Sequence, residues 1–428
     1  MESKRRENQA DEFLKKLLKG SIGSWNEYEN TLKIIIDSSK VGQISFDFDL
    51  RIFERGTHGR ELLKQKFPAK VDYKAKQRGY TTVTLEFQNC TFQKSVFANK
   101  KIESHLTFID CDFKGEFHVP NVTFSGKVRY RECGLQKINF RNTVFKDLLD
   151  FWKCKFRSKV IFYKTDFLGT TSFAASTFKK SVLFTYSLIA ERMILRGTIF
   201  KNGLDLSVAL KSGIFDVFDL DLKDYKSVYL NPDHKKYQKT YEFFVSRKGK
   251  IPLNNKRETY RFLKETLESQ SNVYESIVYR TQEKKSLTKE LRLKLWDDIK
   301  SKKLAVVYSN NAFMKLFDLS SLLLNWLSNR HGRSYVSAFV FTALVGWIFF
   351  ILSLTYGTDV YTFSLNPCFW DFEAGFIQYV KFMLPTHSFD YLGETVVRTS
   401  SFYFYDFFGR IFVSYGIYQF VQAFRKIR

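Results

Sequence analysis

A repeat of 21 to 22 residues is the feature that most restricts how this chain can fold. Small residues recur in one column, at Cys90, Cys111, Cys133, Cys154, Ser176 and Thr198. Their spacings are 21, 22, 21, 22 and 22 residues, and each stands two positions before a large apolar residue. A fixed long period is typical of a solenoid, whose coils stack ~4.8 Å apart. The column therefore predicts a β-helix of about six coils with small side chains pointing into it.

Large apolar residues alternate along the same stretch at spacings of five and six residues. Phe162, Phe167, Phe173 and Phe178 illustrate the pattern, which extends over residues 87–206. Neither the helical period of about 3.6 nor the simple alternation of a strand fits it. We therefore interpret each coil as four short sides.

A metal site is one interpretation of the four cysteines in the column. Their spacing favours a core ladder, in which small thiol side chains stack on one another inside the solenoid. The chain contains no CxxC motif, and no pair of histidines lies near these cysteines. Zinc ligands occur at much closer spacings. We expect no metal site and no cofactor. We also expect Cys133→Ser to destabilise the fold by about 1–3 kcal/mol, because it buries an unsatisfied hydroxyl. Cys133→Ala should destabilise it less.

The C-terminal part contains segments with the composition of membrane helices. Tyr335–Tyr356 is 22 residues long without a charge or a proline, enough to cross a hydrocarbon core ~30 Å thick. A buried helix of a soluble domain is the alternative interpretation. Ser401–Phe424 predicts a second span, in which Asp406 and Arg410 are four residues apart and can pair on one helix face. Basic flanks and a mostly acidic intervening loop predict that both ends of this multi-pass region are cytoplasmic.

A short apolar segment lies between the two predicted spans. Phe376–Leu384 is too short to cross a membrane, and such segments are often re-entrant or interfacial helices. The residues after it are predicted to form a pore loop or filter: Thr386, His387, Ser388, Phe389 and Asp390. In a symmetric pore, Asp390 would attract cations and His387 would titrate near neutral pH. An ordinary extracellular loop with a surface helix is the alternative. One chain offers too few helices to enclose a pore, so a closed homo-oligomer, most simply a tetramer, is expected.

The net charge of +24 lies entirely in residues 1–334, because residues 335–428 sum to zero. Residues 234–303 alone contain 19 basic and 9 acidic side chains, interleaved with aromatic rings. Such a composition suits phosphates and stacked bases. We predict an anionic ligand, a nucleotide or an oligonucleotide, at Lys235, Lys236, Tyr237, Arg257, Tyr260, Arg261 and Arg280. A basic face attracted to anionic lipid, or merely a solvated surface, is the alternative.

The repeat resembles that of pentapeptide-repeat proteins, whose unit has a central Leu or Phe and a small residue two positions earlier. Matching units are Cys90-Thr91-Phe92, Cys111-Asp112-Phe113, Cys154-Lys155-Phe156 and Ser176-Thr177-Phe178. The resemblance implies a right-handed square coil. The six-residue steps depart from the family pattern, so a less regular coil is expected.

The segments after the repeat resemble bacterial pentapeptide-repeat proteins fused to a two-span potassium-channel-like pore domain. The similarity involves the connector from Arg257 to Lys264, the run from Leu324 to Ser328, and Gly409-Arg410. The family's filter has a glycine on each side of an aromatic residue, whereas this chain has Ser388 at the first position and lacks the second glycine. Because glycine permits the backbone angles of a carbonyl-lined filter, a less selective pore is expected.

The resemblance implies a multidomain protein: an N-terminal cap region 1–79, a β-helix 80–218, a basic helical connector 219–333 and a two-span pore domain 334–428. It extends to effectors of bacterial anti-phage systems, including the Hailong type, in which the product of a nucleotidyltransferase controls a channel. The implied function is a ligand-gated channel of the bacterial inner membrane with a cytoplasmic body. The chain contains no recognisable catalytic motif, so no enzymatic activity is expected. A membrane-anchored β-helical scaffold that binds a protein partner without conducting ions is the alternative.

Overall fold

The computed structural model describes residues 9, 12–19, 23–28, 31–37, 43–54, 56–66, 82–232, 234–300, 310–361, 372–393 and 395–424. The chain divides into two compact units, Met1–Leu267 and Glu268–Arg428. The first unit contains a β-solenoid of about six turns, and the second is helical. The prediction of a β-helix followed by a helical region is confirmed, although residues 219–333, predicted as one connector, lie on both sides of the division.

Short strands stack in four sheets along the solenoid. The first sheet contains Gly23–Tyr28, Thr31–Asp37, Thr82–Gln88, His105–Ile109, Val128–Arg131, Leu149–Trp152, Thr171–Ser172, Arg192–Ile194 and Ile214–Asp216. The second contains Gln43–Ile44, Phe48–Asp49, Thr91–Phe92, Val96–Phe97, Asp112–His118, Gly134–Asn139, Lys155–Phe156, Thr177–Phe178, Ile199–Phe200 and Asp221–Leu222. The third contains Lys101–Ile102, Thr123–Phe124, Val144–Phe145, Asp166–Phe167, Leu188–Ile189 and Leu210–Lys211, and the fourth contains Val160–Tyr163, Val182–Thr185 and Leu204–Asp205.

The predicted cap region contributes strands to the solenoid itself. Thr31–Asp37 pairs in parallel with Thr82–Gln88, and Gln43–Ile44 pairs in parallel with Thr91–Phe92. The sequence period did not reveal this coil, because more than 30 residues separate it from the next one along the chain.

Stacked side chains fill the solenoid. The rings of Phe156 and Phe178 have centroids 4.2 Å apart, and those of Phe178 and Phe200 are 4.9 Å apart, both in nearly parallel planes. The cysteines of the small-residue column are buried free thiols: Cys90, Cys111, Cys133 and Cys154. Because the stacking distance of aromatic rings matches the ~4.8 Å separation of coils, the repeat builds continuous ladders. The predicted core ladder is therefore confirmed.

Residues with left-handed backbone occupy corners of the coil. Asn142, Lys153, Ala175 and Tyr186 have φ values of 53°, 54°, 55° and 55°, and each lies within a five-residue step. Left-handed backbone costs an alanine or tyrosine roughly 1–2 kcal/mol. The packed ladders on both sides of each corner must therefore impose this conformation.

Helices of the first unit are α1 (His58–Lys66), α2 (Tyr237–Glu242), a π-helix (Phe243–Lys248) and α3 (Leu253–Ser269), and residues 12–18 are also helical. The side-chain amide of Asn255 on α3 donates to the buried carboxylate of Asp205 at 2.9 Å. The hydroxyl of Thr259 accepts from the backbone amide of Leu206 at 3.0 Å. Burial raises the pKa of Asp205. These contacts hold α3 against the last coils.

Helices of the second unit are α4 (Val273–Lys300), α5 (Asn310–Asn329), α6 (Tyr335–Gly357), α7 (Phe372–Phe382), a 3₁₀ turn (Phe389–Leu392) and α8 (Ser400–Phe424). The helices α6 and α8 pack antiparallel. Tyr335 at the start of α6 contacts Phe424 at the end of α8, with ring centroids 5.5 Å apart. Gly416 lies so close to Thr342 that a Cβ there would meet its hydroxyl. Small residues of this kind allow two apolar helices to approach closely.

One helix within the described residues, Tyr335–Gly357, is long and apolar enough to cross a membrane. Only 28% of the residues in its most apolar window are buried, whereas the core helix of a soluble domain is mostly buried. The predicted second span is a helix of sufficient length, but its polar and tyrosine residues keep it below the same criterion.

Candidate functional site: a basic groove and a buried loop

The predicted anion-binding residues are divided between the two units of the chain. Lys235 and Lys236 are exposed and precede Tyr237 at the start of α2. Arg280 belongs to the second unit, where its guanidinium forms an ion pair with Glu268.

Three more of those predicted residues lie on α3. Arg257 and Arg261 both form ion pairs with Glu258, each at 3.1 Å. Tyr260 is fully buried. Its ring is therefore inaccessible to a stacked base, because α3 turns that face toward the solenoid.

A different set of cations lines a groove of about 1080 Å³ in the first unit. Lys137, Lys159, Lys180 and Asn202 occupy successive coils at spacings of 22, 21 and 22 residues. Coils of a solenoid are ~4.8 Å apart, so these side chains form a ladder along one wall. Glu116 begins the same column, pairs in register with Lys137 and forms an ion pair with it at 3.0 Å.

Residues 246–251 form the opposite wall and are held to the solenoid by hydrogen bonds. The guanidinium of Arg141 donates to the carbonyl of Ser246 at 2.7 Å. The ammonium of Lys159 donates to the carbonyl of Arg247 at 3.0 Å, and the hydroxyl of Ser181 donates to the carbonyl of Gly249 at 2.7 Å. The first three residues of this wall are the end of the π-helix, a rare element that is frequently found at functional sites.

The groove is strongly cationic. Nine of the described residues that line it are lysine or arginine, and one is acidic. Within the described part of the chain, the structure records no ion pair for Lys180, Lys226, Arg247, Lys248 or Lys250. The ammonium groups of the last two lie near the rings of Phe243 and Phe244, at 5.4 and 5.5 Å from the centroids. Unpaired cations around an open groove produce a positive potential that attracts anions.

The predicted pore loop packs against α8. The imidazole of His387 is buried, with Nε2 located 2.8 Å from Oδ1 of Asp406 and Nδ1 located 2.6 Å from the carbonyl of Leu384. The guanidinium Nε of Arg410 donates to the other carboxylate oxygen of Asp406 at 2.6 Å. The pairing of Asp406 with Arg410 is therefore confirmed, and His387 joins it, which the sequence did not predict.

The other residues of the loop are exposed: Thr386, Ser388, Phe389 and Asp390. Within a single chain the imidazole of His387 therefore points toward α8, whereas its neighbours point outward. The carboxylate of Asp390 forms an ion pair with Arg398 at 3.1 Å and remains 64% exposed. The guanidinium of Arg410 lies 4.3 Å from the ring centroid of Phe389.

Helix α7 packs back against the α6–α8 pair. The hydroxyl of Tyr379 donates to the carbonyl of Ala343 on α6 at 2.7 Å. Phe382 is buried against Phe350 of α6, and Gly409 of α8 leaves space for its ring. The half-length helix and its loop thus lie beside the two longer helices.

Comparison of the chain with protein-family models, with curated proteins and with solved structures found no match. Within the described residues, no group of three or more His, Cys, Asp or Glu side chains could hold a metal ion.

Sequence reasoning missed the groove, although part of its signal was available. A basic side chain recurs at the coil period in Lys137, Lys159 and Lys180, which are not part of the apolar repeat. The run Arg247-Lys248-Gly249-Lys250 lies within the predicted basic connector. The lysine ladder and the cations of residues 247–250 face each other because residues 246–251 dock onto the solenoid.

Proposed function

We propose that the protein is an oligomeric ion channel of the bacterial inner membrane, controlled by an anionic ligand that binds its cytoplasmic β-solenoid. The observation that supports conduction best is the half-length helix α7 with its return loop, packed against α6 and α8. A simple anchor has no need of such a segment. Irregular backbone at membrane depth is tolerated where it is buried in protein or lines a cavity.

In this proposal α6 and α8 both span the membrane, and four copies of the chain surround the pore. The ring of Asp390 carboxylates concentrates cations at the outer mouth, and the missing filter glycine makes the pore poorly selective. The body and the C-terminus are cytoplasmic, and opening depolarises the cell, as expected of an anti-phage effector. The protein binds and conducts, and performs no catalysis.

The ligand belongs to the nucleotide or oligonucleotide class in this proposal, and the basic groove is its site. A ladder of lysines on one wall and the cations of residues 247–250 on the other suit a row of phosphates. The ligand is supplied by a nucleotidyltransferase.

The test combines conductance and binding of the full chain. Reconstituted in planar bilayers, the protein should conduct cations, and Asp390→Lys should shift the reversal potential toward anions. A labelled single-stranded oligonucleotide should change the open probability and bind the detergent-solubilised protein. Lys180→Ala should weaken that binding and reduce the slope of log affinity against log salt by about 0.7, because one phosphate contact is lost.

Lys146→Ala is the matched control, since Lys146 is exposed on the solenoid but does not line the groove. A protein without conductance would favour the membrane-anchored scaffold instead. Equal binding by the Lys180 and Lys146 variants would remove the groove from the proposal.

A further inference from the structure

Two adjacent cavities in the second unit lie beside the start of α6. The first has a volume of about 560 Å³ and is lined by Thr281, Lys285, Trp326, Arg330, Arg333 and Ser334. The second, of about 450 Å³, shares Lys285 and Trp326, and its other lining residues are three leucines and four polar or basic residues: Leu293, Leu322, Leu323, Thr288, Lys289, Arg292 and His331. A polar, cationic space therefore borders one in which leucines and basic side chains lie together.

The cations of these cavities are available to a ligand. Lys285, Arg330 and Arg333 are exposed, and the structure records no ion pair for them within the described residues. Neither cavity is lined by a described aspartate or glutamate. Lys289 and Arg292 continue the stripe on α4, four and seven residues after Lys285. This surface therefore attracts anions.

A constrained turn holds two of the arginines beside α4. Arg330, His331 and Gly332 have successive φ values of 53°, 60° and 83°, all left-handed. The amide of Gly332 donates to the side-chain oxygen of Asn329 at 2.6 Å, and His331 Nδ1 lies 3.0 Å from the side-chain oxygen of Asn325. Left-handed backbone is uncommon in residues other than glycine. The fold therefore specifies where the chain turns immediately before the apolar helix.

The apolar side of the site continues along the surface of α5. Leu323, Trp326 and Leu327 are 54%, 48% and 48% exposed, and Met314 and Leu316 are also exposed. Tryptophan is enriched at membrane interfaces, and helices with an exposed apolar face lie in that plane. The turn at residues 330–332 joins α5, which has this apolar face, to α6.

We propose that these two cavities together bind one anionic phospholipid, whose phosphate contacts Lys285, Arg330 and Arg333 and whose acyl chain lies along the leucines of α4 and α5. The basic side chains select an anionic headgroup by charge. Because the cavities lie beside the start of α6, the acyl chain lies in the membrane that α6 is proposed to cross. The inference rests on the proposed insertion of α6 into a membrane. It does not depend on conduction or on a ligand in the basic groove.

The test uses the full chain purified in mild detergent. Phosphatidylglycerol with a fluorescent acyl chain should bind saturably, with one site per chain, and phosphatidylcholine with the same label should bind at least tenfold more weakly. Lys285→Ala combined with Arg333→Ala should lower the affinity for phosphatidylglycerol at least tenfold, because each cation near an anionic lipid contributes about fivefold. Lys294→Ala is the matched control, because Lys294 lies on the same helix but forms an ion pair with Glu290 and lines neither cavity.

Two further measurements separate a lipid from a free anion. Inorganic phosphate should not displace the labelled phosphatidylglycerol, and Leu323→Asn, at an exposed position, should weaken lipid binding. Displacement by inorganic phosphate, or equal binding of the two lipids, would overturn the proposal. So would unchanged binding by the double variant with its helical circular dichroism intact. None of these readouts requires current, so a protein that binds lipid but does not conduct fails only the proposed function.

Discussion

The replacement of Cys133 by serine tests how the solenoid accommodates its small-residue column. The sulfur of Cys133 lies 3.4 Å from the carbonyl oxygen of Phe108, in the previous coil. In the same column the hydroxyl of Ser176 donates to the carbonyl of Phe151 at 2.7 Å. A serine hydroxyl at position 133 would therefore have an acceptor within reach. The expectation from sequence, that this hydroxyl is unsatisfied, is thus not supported.

The magnitude follows from two opposing contributions. A new hydrogen bond contributes about 0.5–1.5 kcal/mol, and the loss of the larger sulfur removes about 0.8 kcal/mol, the value of one buried methylene. We therefore expect Cys133→Ser to change the free energy of unfolding by less than about 1 kcal/mol. Cys133→Ala loses the sulfur, leaves a small cavity and gains no bond, so it should cost about 1–1.5 kcal/mol.

Thermal unfolding of the full chain in mild detergent, under reducing conditions, measures this order. A difference of 1 kcal/mol shifts the midpoint of a unit of this size by about 2–4 °C. Thr198→Val is the control, because it removes an existing bond of 2.8 Å to the carbonyl of Phe173 with little change in volume. If Cys133→Ser unfolds at a lower temperature than Cys133→Ala, the hydroxyl does not reach Phe108 and the reasoning fails.

Two further predictions concern the second unit. Asp406→Asn should destabilise it by about 3 kcal/mol or more, because it removes the buried carboxylate that pairs with Arg410. Asp390→Asn, which removes a 64% exposed carboxylate from its pair with Arg398, should cost less than about 1 kcal/mol. Equal losses in a thermal-shift assay would contradict this. Burial and two nearby lysines lower the pKa of His331 from 6.5 to about 4. The unfolded chain then binds a proton that the folded chain does not, so the stabilising contribution is complete above pH 6.5 and is lost as the pH falls toward 4. His331→Gln should reduce the pH dependence of the unfolding midpoint of the second unit between pH 6.5 and pH 4. If the pH dependence is the same as in the unmodified protein, His331 is not its cause.

Periodicity made the solenoid predictable. The cysteine column and the spacing of the phenylalanines show that each coil repeats the previous one. The repeat along the chain is therefore sufficient to predict how the coils stack. The same holds for α6, whose apolar length is visible in 22 consecutive residues. The Asp406–Arg410 pair follows from helix geometry, because residues four apart lie on one face.

What the sequence by itself determined is the part that depends on neighbours along the chain: the repeat, the apolar helix and the i,i+4 pair. Only the tertiary structure decided which cations lie together in one groove. Lys159 meets the carbonyl of Arg247, 88 residues later, because a π-helix and a left-handed Gly249 direct residues 246–251 onto the solenoid. His387 meets Asp406 because the loop after α7 turns back onto α8. Contacts of this kind depend on how elements dock, and docking energy comes from burial across distant segments, which no local pattern records.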